Sequence, residues 1–103
     1  MTYTRTMQTR SANQMAQRFA LDAVSERRDE AYQFLIYMEF AIAQGLEVGI
    51  DKAFLSDTAT GALDAISNLT GELHAALDAE NLSHDMLLPL DVSELRALIA
   101  RLT

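Results

Sequence analysis

The sequence predicts an all-α fold, and three observations support it. Ala (16) and Leu (15) make up nearly a third of the 103 residues, while Val and Ile together supply only eight. Pro89 is the one proline, and Gly45, Gly49, Gly61 and Gly71 are the only glycines. Apolar residues recur at helical spacing through long stretches free of breakers. Good helix formers with few interruptions favour helices over sheet.

Residues 1–10 read as an extended arm ahead of a single helical domain over 11–103. Tyr3, Arg5 and Met7 alternate with Thr2, Thr4 and Thr6, a period-2 pattern that needs a second strand to become a sheet. Ser11 with Gln14 fits a capping box and opens a long helix over about 12–45. Ala12, Met15, Ala16, Phe19, Ala20, Ala23, Val24, Ala31, Phe34, Leu35, Met38, Ala41 and Ile42 fall on one side of a 3.6-residue wheel. The phase holds through the polar patch Ser25–Glu30, which favours one continuous helix over two helices broken at a Ser25 cap. Such a helix spans roughly 50 Å, against a radius of gyration of about 13 Å for a compact chain of this size. It therefore overhangs its own domain and calls for a second chain to cover it.

Tyr32, Ile36 and Phe40 form a second apolar face opposite the first. A helix apolar on two faces is either central to its own fold or shared with a partner. Gly45 is expected to close the helix, and residues 46–56 form a connector anchored by Val48, Ile50, Phe54 and Leu55. Ser56 or Asp57 then caps a second helix over about 57–80, with Ala59, Leu63, Ile66, Thr70, Leu73 and Leu77 as its seam. A short connection predicts that it runs antiparallel to the first helix. Residues 81–91 form a loop, and Asp91, with Glu94, caps a short helix over about 92–102. Its stripe is Leu95, Leu98, Ile99 and Leu102, and a helix this short has to dock on something.

The net charge of −7 is uneven. Residues 1–28 hold five Arg against two acids, and residues 29–103 hold Lys52, Arg96 and Arg101 against thirteen acids. The absence of Cys removes disulfides, thiolate catalysis and Cys-based metal sites. His74 and Asp78 lie one helical turn apart, but they lack the further ligands of a metal site, so His74 reads as a structural edge histidine. His84 and Asp85 read as turn chemistry. No phosphate loop, nucleophile elbow or calcium loop is present, and no acid, base and nucleophile set can be assembled. The expectation is a non-enzymatic protein without cofactor or metal. With no apolar leader and no stretch long enough to span a bilayer, it is expected to be cytoplasmic and away from membranes.

Three functional readings follow. The first is a regulator, adaptor, chaperone or inhibitor that binds protein, as a homodimer, through Tyr32, Ile36 and Phe40 and through Leu95, Leu98, Ile99 and Leu102. The second is DNA binding by the basic N-terminus through Arg5, Arg10, Arg18 and Arg28. The order arm, helix, Arg27-Arg28, helix is similar to a ribbon–helix–helix arrangement, although no Gly marks the interhelix turn. The third is mimicry of nucleic acid by the acidic body, blocking a nucleic-acid-binding protein such as a host defence complex.

Overall fold

A computed structural model describes residues 2–103, with side chains from Ala12 onward. Three helices follow one another: α1 over Thr2–Glu47, α2 over Lys52–Ala79 and α3 over Ser93–Leu102. A single 3₁₀ turn, His84–Met86, interrupts the loop between α2 and α3. The all-α architecture, the antiparallel pairing of the first two helices and the short C-terminal helix are as the sequence predicts. Helix α1 is continuous through Ser25. It is also continuous with residues 2–10, which the sequence reading assigns to an extended arm. A lone strand has no partner to bond, whereas lengthening an existing helix adds one hydrogen bond per residue.

Two clusters make the core. One joins all three helices: Ala31, Leu35 and Ile42 of α1, Leu55, Ala59, Ala62 and Ile66 of α2, and Leu95, Leu98 and Leu102 of α3. The other seals the far end of the hairpin with Val24, Leu73, Leu77 and Leu87. Beyond it, the Gln17 side-chain amide donates to the Glu80 carbonyl (3.0 Å), where α2 ends. The rest of α1 runs on without α2 beside it, and the molecule measures 72 × 17 × 16 Å with a radius of gyration of 19.4 Å. Met15, expected in the core, is therefore exposed, and Phe19, also expected there, is exposed because it faces outward beside the last turn of α2. Phe34, also expected there, is exposed too. It lies at the rim of a groove with Arg27, Glu30 and Ala65, beside the buried stripe rather than on it.

The helix ends differ from the expectation by a few residues, and the hydrogen bonds show why. Gly45 lies inside α1. The turn is made by Gly49 at φ 83°, with Ile50 N–H donating to Gly45 O (2.9 Å) and Gly49 N–H to Leu46 O (3.3 Å). This is a Schellman motif, and its left-handed position suits glycine. Gly45 serves packing instead, because Leu55 Cδ2 lies 2.7 Å from where a Cβ would stand. Asp51, rather than Ser56 or Asp57, caps α2 by accepting from Phe54 N–H (3.3 Å). Helix α2 so begins earlier than expected, and of the connector's four anchors only Leu55 is buried. The other end of α2 repeats the motif with Asn81 at φ 56°, Leu82 N–H donating to Leu77 O (2.9 Å) and Asn81 N–H to Asp78 O (3.0 Å).

A Cβ at Gly49 would meet nothing within 4 Å, so a side chain there costs only backbone strain. Gly49→Ala is expected to lower stability by about 1 kcal/mol. Gly61 and Gly71 also face open space, but they are in mid-helix, so Ala at either raises stability by about 1 kcal/mol. Urea midpoints of the three variants check the opposite signs.

Candidate interaction surface

The outer face of α1 emerges from the helical period. Ala31, Leu35 and Ile42 turn inward, and at about 100° per residue Ile36 and Phe40 stand roughly 100–180° around the helix from them. Tyr32, Ile36 and Phe40 are accordingly exposed, as the two-faced reading requires for sharing. Tyr37 joins them, although the i, i+4, i+8 pattern passed over it; it lies one position past Ile36 on the same outward arc. With Gln33 these four side chains border a shallow depression of ≈ 490 Å³. The Arg28 guanidinium lies 5.2 Å from the centre of the Tyr32 ring, a cation–π contact that holds one edge of the surface in place.

The second group of expected contact residues is placed differently. Leu95, Leu98 and Leu102 are buried in the protein's own core, and Ile99 packs against it. Helix α3 has docked on its own hairpin, so these residues are not an exposed surface for another molecule. The hairpin's apolar surface is tethered nearby, at an effective concentration that a separate partner does not match.

The arginines divide in a similar way. The Arg5 and Arg10 side chains lie outside those described. Arg18 is exposed. Arg28 is committed within the fold: its Nε donates to Leu88 O (2.8 Å) and its Nη2 to Pro89 O (3.1 Å), with Asp29 at 3.5 Å. Its side chain is only 12% exposed, against 49% for Arg27, which pairs with Glu72 on the surface (3.0 Å). The nucleic-acid contact expected of Arg28 is thereby corrected. Two of the five guanidinium donors are held by backbone carbonyls and the side chain is largely covered, and only the tertiary fold brings those carbonyls to it.

Two polar arrangements escaped the sequence reading. His84 Nε2, not His74, approaches the Asp78 carboxylate (2.7 Å), and the two imidazoles stack at 4.1 Å and 11°. This clamps the 3₁₀ turn to α2 and leaves no third ligand. Among the described residues no group of three or more His, Asp or Glu is placed to hold a metal ion. The other arrangement surrounds Glu39, which points from α1 toward the start of α3. Burial, then the Glu94 carboxylate and more weakly Asp91, push its carboxyl above the ordinary range, while the Leu95 N–H opposes them. One Glu39 oxygen, Oε2, is buried without a hydrogen bond. Asp91 shifts the other way: the Ser93 hydroxyl and N–H hold its carboxyl below the usual value. The carboxylate of Asp91 accepts from Ser93 N–H (2.9 Å), so it supports the start of α3 although Val92 is the capping residue.

Glu39 gives a pH prediction. Its folded form holds a proton more tightly than the unfolded chain does, so its ionisation subtracts stability as pH rises above about 4.5. Glu39→Gln is expected to raise Tm by a few degrees at pH 7 and to leave it unchanged near pH 3.5, where both forms are neutral. Thermal melts across that range check the sign. A loss at pH 7 would show that the carboxylate's contact with Leu95 outweighs its burial.

The fold and this surface define a helical hairpin, capped by its own third helix, with an aromatic face left open to solvent. Comparisons with protein-family models, curated proteins and solved structures find no match to this chain. No helix among the described residues is long and apolar enough to cross a membrane.

Proposed function

We propose that this protein works by binding protein, as a regulator, adaptor, chaperone or inhibitor, through the outer face of α1. The observation that carries this reading is the exposed set Tyr32, Ile36, Tyr37 and Phe40. Each is 44–68% exposed on a helix whose opposite face already fills the core. Large aromatic side chains left in water on one rigid element mark a contact surface, because they offer much apolar area at low entropic cost. The non-enzymatic part of the reading is the expectation from the sequence, in which no acid, base and nucleophile set can be assembled.

The test uses wild type and Ile36→Asp side by side as baits in extract of the native host. Any protein that wild type retains is then purified and its Kd measured against both. The reading expects at least a 10-fold weakening with Ile36→Asp, as for truncation of an interface anchor. Equal affinity for both baits overturns it.

A further inference from the structure

The charge and spacing along the outer face point to one occupant. We infer that this face binds a second copy of the same chain, antiparallel, about a two-fold axis passing by Ile36. The inference rests on the binding-face reading above and adds the partner and its geometry.

The exposed side of α1 carries a repeat of alternating steps of four and three. Met15 and Phe19 stand at its N-terminal end, Asp22, Glu26 and Asp29 in the middle, and Gln33, Ile36, Phe40, Ala43 and Glu47 at its C-terminal end; all are exposed. This is the spacing by which one helix lies along another. The three acids decide the direction. In a parallel pair in register, Asp22, Glu26 and Asp29 would each face their own copy, which repels. In an antiparallel pair overlapping along the whole seam, Phe40 would meet Met15, but Glu26 would then face Asp29 twice. Centring an antiparallel pair on Ile36 takes the like charges out of the aromatic contact and leaves only Glu26 of each chain near Glu47 of the other, at the exposed ends of the pair. Phe40 of each chain meets Tyr32 and Gln33 of the other, Asp29 falls opposite Ala43, and Asp22 and Glu26 lie beyond the aromatic contact. The two Asp29 residues are then roughly 20 Å apart along the pair, at 1.5 Å per residue. That is more than twice the screening length of about 8 Å at physiological salt.

The area is sufficient. Tyr32 is 44% exposed, Ile36 46%, Tyr37 68% and Phe40 65%. At about 200 Å² for a whole side chain of this kind, they leave roughly 400 Å² open per copy. Two copies would bury about 800 Å² from these side chains alone, and the exposed Asp29, Gln33 and Ala43 beside them bring the contact to about the 1,000 Å² that a specific interface needs. A two-fold contact also needs one self-complementary patch, and these four side chains supply it. The overhanging N-terminal parts of α1 project from opposite ends of such a dimer, away from each other.

The absence of native Cys makes the test unambiguous. Single variants Ile36→Cys, Asp29→Cys and Phe40→Cys, and an equimolar mixture of Phe40→Cys with Tyr32→Cys, are oxidised gently. Light scattering on wild type follows the dimer over a dilution series. The expected result is a wild-type dimer at twice the 11.4 kDa chain mass. Rapid disulfide formation is expected in Ile36→Cys and in the mixture, at least 10-fold slower in Asp29→Cys and Phe40→Cys alone. Comparable cross-linking at all three single positions means a parallel pair and overturns the geometry. A wild-type monomer at about 1 mM overturns the inference as a whole. If Ile36→Asp still weakens a captured protein in that case, the binding-face reading survives without the dimer. Circular dichroism of each variant confirms that it is folded, and the exposed positions chosen leave the core intact.

Discussion

Leu95→Ala is expected to cost about 3–5 kcal/mol, the range for a large-to-small change at a fully buried site. Leu95 is 0% exposed and sits in the cluster that joins α3 to both long helices. The total stability of a domain this size is about 5–15 kcal/mol, so the variant should lose about a fifth of it or more. Leu88→Ala is the control. It removes the same side chain from a residue that is 69% exposed, and it should stay within about 0.5 kcal/mol. Urea unfolding measures both through the midpoint at constant slope. Equal costs at the two positions would mean that α3 does not dock as described.

Arg28→Ala is expected to cost about 2 kcal/mol and to loosen the loop between α2 and α3. Its guanidinium donates to the Leu88 and Pro89 carbonyls and lies over Tyr32, so one side chain links α1 to a segment 60 residues away in sequence. Hydrogen bonds from a charged donor contribute about 1.5–3 kcal/mol, and the carbonyls lose their partner when it is removed. Exchange of the Met86 and Leu87 amides, which close the 3₁₀ turn on Ser83 and His84, should quicken about 10-fold or more. Arg28→Lys recovers part of this at most, because an ammonium lacks the planar fork that reaches two acceptors. Arg27→Ala, one residue away, breaks only an exposed pair with Glu72 and should cost under about 1 kcal/mol. The contrast between adjacent arginines is the check. Similar losses at both would remove the loop-anchoring role.

Much of the fold was legible because it depends on local periodicity. Ala31, Leu35 and Ile42 recur at helical spacing, and so do Ala59, Ile66, Leu73 and Leu77; both sets are buried as their period requires. The continuity of α1 through Ser25 followed from an unbroken wheel phase. Cap positions were less legible. Gly45 and Gly49 carry the same helix-stop signal, and only the hydrogen bond from Ile50 to Gly45 shows which one turns the chain. Asp51, Ser56 and Asp57 compete in the same way for the start of α2. The candidate surface was half legible. Tyr32, Ile36 and Phe40 were visible as a second apolar face, whereas Tyr37 lay outside the repeat that identified it.

By itself the sequence determined what neighbouring residues settle among themselves: the helices, their order, their inward stripes and the concentration of acid after residue 28. Tertiary structure alone decided where each stripe found its cover. Helix α3 met the hairpin before any second molecule, and Arg28 met two carbonyls rather than a phosphate. Met15 outran the end of α2, and Glu39 came to face Glu94. The physical reason is common to all four. A residue's period shows which way it points along its own helix, but what stands opposite is set by contacts between segments far apart in the chain.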